Sequence, residues 1–105
     1  MRFTTWNVAS LKARLPRVEP WLAAADCDVL CVQETKMKAD AFPTDAFAAL
    51  GYESVHHGQG QWNGVAILSR VGVEATTHGF GGLDDPYEGD ARLVSARCGG
   101  VRFID

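Results

Sequence analysis

No apolar run in this sequence approaches the length of a bilayer span, and no charged segment with an apolar stretch behind it opens the chain. Both absences speak against a membrane protein and against a cleaved leader, and a cytoplasmic protein is expected. Cysteine is scarce. Cys27, Cys31 and Cys98 form an odd set without Cys-x-x-Cys spacing, which indicates neither a disulfide framework nor a zinc site. A reduced compartment is the matching expectation, with Cys31 as a small core residue. A basic excess is missing too. Ten Lys and Arg against 13 Asp and Glu leave a net charge of −3, so there is no bulk attraction to nucleic acid or anionic membrane. Any phosphate-bearing substrate has to be held by local cations or a bound metal. Internal repeats and low-complexity tracts are absent.

What is present reads as one globular unit over residues 1–105, with enough apolar content to bury a core. Residues 2–8 are β-branched and aromatic, a strand. Val18, Trp21, Leu22 and Ala25 share one face of a helix, for which Pro16 fits the first turn; Pro20 inside that pattern predicts a start or bend at Pro20. Residues 29–34 form a short apolar run with polar borders, a buried strand. Pro43 and Gly51 bracket a short helix with Ala46, Phe47 and Leu50 inward. Strands are expected at 52–57 and 65–70, joined as a hairpin by the glycine-rich residues 58–64. Residues 73–78 alternate as another strand, and 79–90 read as a loop. Residues 92–98 and 101–105 form a hairpin turning at Gly99-Gly100. The pattern stops at Asp105 within a strand, leaving an apolar edge of the kind complete proteins cover. One layer of a larger α/β assembly is therefore expected, with a complete small α+β domain as the competing reading.

Chemistry is suggested first at Glu34. A carboxylate at the end of a buried strand is costly unless it is exposed, paired or bound to a metal. Asn7 ends the preceding strand, and sequential strands tend to be neighbours, which brings both side chains to one rim. Two hard oxygens suit Mg²⁺ or Mn²⁺ with several waters kept. The bland alternative is a turn-forming Asn and a solvated Glu. Lys12, Arg14, Arg17, Lys36 and Lys38 follow the same two strands, an arrangement fit for phosphate or an ordinary charged rim. Trp62 at the hairpin tip either stacks on a base or folds back onto the sheet. His56 and His57 adjoin, but adjacent strand residues face opposite ways and cannot readily share one ion, so both are read as structural or substrate-facing and not as ligands. Arg92 either contacts a phosphate or pairs with Asp90.

Thr5-Trp6-Asn7-Val8, Leu30-Cys31-Val32-Gln33-Glu34-Thr35-Lys36 and Gly64-Val65-Ala66-Ile67-Leu68-Ser69-Arg70 together resemble the exonuclease III family of abasic-site endonucleases. That family lies within the endonuclease/exonuclease/phosphatase superfamily. The likeness continues through His57-Gly58-Gln59-Gly60 and Gly89-Asp90-Ala91-Arg92. It implies an α/β fold, the N-terminal half of a four-layered α/β sandwich in which two packed mixed sheets are flanked by helices. The implied activity is Mg²⁺-dependent hydrolysis of DNA phosphodiesters, on duplex DNA with abasic sites or 3′ ends, by a protein monomeric at full length. By resemblance, Glu34 binds the metal, and Asn7 helps hold the metal and phosphate region. Trp62, Asn63 and Gly64 lie in a DNA-contacting loop, with Lys36 and Arg92 near the site. Ala9 departs from the family, whose members often carry Asn or Asp there. The family's later motifs, which supply the water-activating Asp and His, lie beyond Asp105, so the 105-residue chain is expected to be inactive. Two other functions stay open: a superfamily phosphoesterase acting on inositol phosphates or phospholipids, and a non-catalytic remnant that binds DNA or a partner.

Overall fold

The computed structural model describes residues 1–79 and 90–105. Its elements follow from alternation of apolar residues and from caps. The N-terminal strand β1 (Phe3–Asn7) leads through a tight loop into α1 (Leu11–Ala24) and back through β2 (Val29–Gln33), which lies parallel to β1 with Asn7 opposite Gln33. A single 3₁₀ turn (Ala39–Ala41) and α2 (Thr44–Ala49) precede β3 (Glu53–His57) and β4 (Val65–Ser69), an antiparallel hairpin. β4 also pairs antiparallel with β2, giving a mixed sheet ordered β1-β2-β4-β3. A second, antiparallel sheet holds β5 (Glu74–His78), β6 (Val94–Cys98) and β7 (Val101–Ile104) in that order. Most of the loop expected at 79–90 lies outside the described residues.

The continuous apolar run of β4 is explained by its position, since every one of its five residues is buried. Ala66 and Leu68 face α1 and α2, in a cluster with Leu11, Val18, Leu22, Leu30 and Phe47. Val65 and Ile67 face the second sheet, in a cluster with Val94, Ala96, Cys98 and Phe103. A strand covered on both faces needs no polar alternation. Helices, first sheet and second sheet thus form three successive layers, as the α/β sandwich reading requires. Each fully buried Val, Leu, Ile or Phe contributes about 1.5–3 kcal/mol.

One expectation is corrected. The helix begins neither at Pro16 nor at Pro20 but at Leu11, where Ser10 caps it by accepting from the Ala13 amide at 3.3 Å. Pro16 and Pro20 both sit inside the helix, four residues apart and both exposed. Each proline removes an amide donor, but on the solvent face water can satisfy the carbonyls left over. Leu11 and Leu15 extend the apolar stripe toward the N-terminus.

The N-terminal end of β2 is clasped from outside. Arg70 pairs with both Asp26 and Asp28, and the Arg2 amide donates to Asp28 at 2.7 Å. That clasp stands opposite the rim that carries Glu34.

Candidate active site

The parallel ladder of β1 and β2 does not stop where the strands do. The Val8 amide donates to the Gln33 carbonyl, Ser10 to Glu34 and Leu11 to Thr35, at 3.0, 2.9 and 3.0 Å. The hairpin tip joins from the other side, Thr35 donating to Gly64 at 3.1 Å and Lys36 to Asn63 at 2.8 Å. Gly64 in turn donates to Ala91 at 2.9 Å. Within this mesh Ala9, Ser10, Glu34, Lys36 and Asn63 all have positive φ, at 51°, 127°, 57°, 53° and 57°. A non-glycine residue held there costs on the order of 1–2 kcal/mol and persists only where its surroundings over-determine it. Backbone strain is concentrated on one rim.

The side chains meet there too. Asn7 Nδ2 donates to Glu34 Oε2, while Asn7 Oδ1 accepts from the Ala9 amide at 3.1 Å. Asn7 is therefore oriented at one end and orients the carboxylate at the other. Glu34, Asn63 and Arg92 line one cleft of about 210 Å³, with Gly64 and Ala91 at its wall. Arg92 Nε lies 3.3 Å from Asp90 Oδ2, both side chains substantially exposed, so pairing with Asp90 occurs at the mouth of that cleft. Lys36 reaches the rim through its backbone bond to Asn63 and is half-buried. Trp62 stands in solvent at 65% exposure on the same hairpin tip and does not fold back as core. Lys12, Arg14, Arg17 and Lys38 are exposed.

Two supports carry no signal that sequence reasoning used. Thr35, fully buried beside Glu34, has its hydroxyl 2.8 Å from His56 Nε2, and the His56 ring stacks on Phe42 with centroids 4.4 Å apart. Gln59 Oε1 accepts from both the Asn63 side chain and the Ala91 amide, tying the hairpin tip to the segment carrying Arg92. In the sequence Gln59 stands out only by its place between two glycines and within the His57-Gly58-Gln59-Gly60 segment of the family resemblance.

Burial decides which groups titrate. The Cys31 thiol is pushed up to about 12 by burial, which removes it as a thiolate nucleophile at neutral pH. Burial pushes His56 down to about 4 and Asp105 up to about 6. Asp105 bridges the sheets, accepting from Gln33 Nε2 at 2.6 Å. The two shifts oppose each other. Between pH 6.5 and 4 the unfolded chain takes up a proton on His56 that the folded chain refuses, so stability falls on acidification. Between pH 6 and 3.8 the folded chain takes up a proton on Asp105 that the unfolded chain refuses, so stability rises on acidification. The parent chain should therefore show a shallow profile from pH 6 to 4. In Asp105→Asn the His56 contribution is unmasked, and urea denaturation should show a steeper loss. The added slope stays below the one-proton limit of about 1.4 kcal/mol per pH unit, because both groups keep some solvent contact. A profile unchanged by Asp105→Asn would contradict this assignment.

Comparison with known proteins identifies the family. Residues 4–103 match the Endonuclease/Exonuclease/phosphatase family. Exodeoxyribonuclease III of Haemophilus influenzae is 35% identical over 96 residues, covering 91% of this chain and 35% of that protein. Among solved structures, the 3′ phosphatase NExo from Neisseria, bound to product DNA hairpin, is 43% identical with a TM-score of 0.89, covering 99% of this chain and 40% of its own. An AP endonuclease from Archaeoglobus fulgidus is 38% identical with a TM-score of 0.88 and the same coverage. The chain thus spans 35–40% of the length of these relatives. With residues 4–103 matched, the chain belongs to the Endonuclease/Exonuclease/phosphatase family, in the exonuclease III-like branch, and corresponds to the N-terminal part of that fold.

Proposed function

We propose that this chain is an N-terminal, metal- and DNA-binding part of a DNA-repair nuclease that hydrolyses phosphodiesters with Mg²⁺, Mn²⁺ being the alternative ion. The observation that carries the reading is the Asn7–Glu34 bond at a rim where strained backbone, Asn63 and Arg92 converge. The donor set fits the ion. Glu34 Oε2 is occupied by Asn7, leaving Oε1 as a hard oxygen of the type Mg²⁺ takes. No cluster of three or more His, Cys, Asp or Glu forms among the described residues, so the other ligands would come from water, substrate phosphate or residues beyond them. The bound ion would act as a Lewis acid on the scissile phosphate. Glu34 holds it, and Asn7 keeps the carboxylate from rotating and supports the metal and phosphate region. Arg92 and Lys36 offer cations to the flanking phosphates. Trp62 supplies a flat apolar face for a base, and Asn63 and Gly64 present the tip that carries it.

Duplex DNA with abasic sites or 3′ ends is the proposed substrate, supported by the abasic-site and 3′-end activities in the relatives' names. The proposed setting is cytoplasmic and the full-length protein monomeric; no helix among the described residues is long and apolar enough to cross a membrane.

The 105-residue chain itself should not turn over, because Glu34 and Asn7 provide no general base placed to activate water. In the whole protein, Glu34→Ala should lower Mg²⁺-dependent incision of an abasic duplex by roughly a hundredfold or more. Robust Glu34-dependent cleavage by the chain alone would end the inactivity claim, and hydrolysis of a soluble phosphoester without DNA cleavage would end the nuclease reading. Trp62→Ala should leave stability within about 0.5 kcal/mol, since the ring is exposed. It should also weaken duplex binding about 5- to 150-fold, the value of one lost stack.

A further inference from the structure

The two adjacent histidines cannot share an ion, yet one of them has a partner across the sheets. His57, at the end of β3, and His78, at the end of β5, place their rings 5.3 Å apart at an interplanar angle of 81°. His57 Nδ1 lies 3.1 Å from the Leu93 carbonyl oxygen, and His78 Nε2 lies 3.1 Å from the His56 carbonyl oxygen. A carbonyl oxygen only accepts, so each of these ring nitrogens carries the proton. In the neutral rings, the lone pairs are then on His57 Nε2 and His78 Nδ1.

This is the arrangement found around imidazole ligands, in which one nitrogen is anchored to a carbonyl and the other is free to bind. The spacing is right for it. With a metal–nitrogen distance of about 2.05 Å and the ring centre about 1.15 Å further back, two imidazoles at a tetrahedral angle have centroids about 5.2 Å apart.

We propose that His57 and His78 form a two-imidazole site for a borderline divalent cation such as Zn²⁺, Ni²⁺ or Cu²⁺. Two nitrogen donors select these ions over Mg²⁺, which prefers oxygen. The site is separate from Glu34. His57 and Gln33 both stand opposite Val65, so His57 lies two strands along the rim, about 10 Å away. Among the described residues no third acidic or thiol side chain completes the shell, which leaves positions for water or an anionic oxygen. Because β3 and β5 belong to different sheets, a bound ion staples the two sheets together at this edge.

Titration of the chain with ZnCl₂ and MgCl₂ by calorimetry tests this, with His57→Ala, His78→Ala and Glu34→Ala compared and their folding checked by circular dichroism. One equivalent of Zn²⁺ should bind, at least tenfold more weakly in either histidine variant and unchanged in Glu34→Ala, with excess Mg²⁺ failing to compete. The Cu²⁺ complex of the parent chain should show electron-spin coupling to two nitrogens, reduced to one in His78→Ala. Zn²⁺ binding unaffected by His78→Ala, or a parent Cu²⁺ spectrum without two nitrogen ligands, overturns the proposal. The spectrum of the parent decides the matter even if a variant folds poorly.

Discussion

Gly64→Ala should destabilise the chain by about 3–5 kcal/mol and disorder the rim, whereas Gly72→Ala should cost only about 1 kcal/mol. The two glycines have nearly the same backbone, with φ of +97° and +96°. They differ in what a methyl group meets. At Gly72 nothing lies within 4 Å; at Gly64 the new carbon would overlap Thr35 Oγ1 and come within 3.2 Å of the Lys36 backbone nitrogen. Thr35 cannot step aside, because it is fully buried and its hydroxyl is engaged with His56. Nor can the backbone, since Thr35 and Lys36 both donate into the hairpin tip. Denaturant midpoints of the two variants provide the comparison. Equal losses would mean that the left-handed backbone alone matters and that the close approach to Thr35 is relieved at little cost.

Phe47→Ala should cost about 3–5 kcal/mol, as deletion of a buried ring from a packed core does. α2 is only six residues long, too short to hold together without tertiary contacts, and Phe47 is its one fully buried side chain. Removing it undocks the helix. The effect should travel further. Phe47 packs on Phe42 with centroids 5.5 Å apart, Phe42 stacks on His56, and His56 holds Thr35 beside Glu34. Amide chemical shifts of Thr35 and Glu34 should therefore move in Phe47→Ala but not in Ala48→Ser, on the exposed face of the same helix. Silence at Thr35 would break this chain of contacts as an account of how the rim is supported.

Much of this fold is legible in one dimension because it is local. The buried runs at Val29–Gln33 and Val65–Ser69, the Gly99-Gly100 hairpin and the Asn7–Glu34 meeting all follow from alternation, turn residues and the habit of sequential strands to be neighbours. The start of α1 was not legible. Proline normally marks a first turn, and only the placement of Pro16 and Pro20 on the solvent face lets the helix run through both. Long-range partners were equally out of reach. Gln33 meets Asp105 across 72 positions, Arg70 meets Asp28 across 42, and His57 finds His78 rather than its neighbour in the chain. No periodicity encodes such pairs: Arg70 meets Asp28 because β4 lies beside β2, and the other two pairs depend on how the second sheet lies on the first. Gln33 illustrates the limit, since its position in the Gln-Glu-Thr-Lys motif was plain while its bond to Asp105 was not.

The mesh of backbone bonds joining residues 8–11, 33–36 and 63–64 also bears on recognition kinetics. Loops that bind polyanions commonly order when the ligand arrives, and each encounter then carries an entropic penalty of about 1–2 kcal/mol per residue fixed. Here the backbone around Asn7, Glu34 and Asn63 is tied down by hydrogen bonds in the folded chain, so under the proposed function it would not have to be ordered again when DNA arrives. Only side-chain rotamers such as those of Lys36, Trp62 and Arg92 remain to be set. If the proposed function holds, such a surface would capture its ligand as a template, with association limited by diffusion and orientation rather than by rearrangement of the rim.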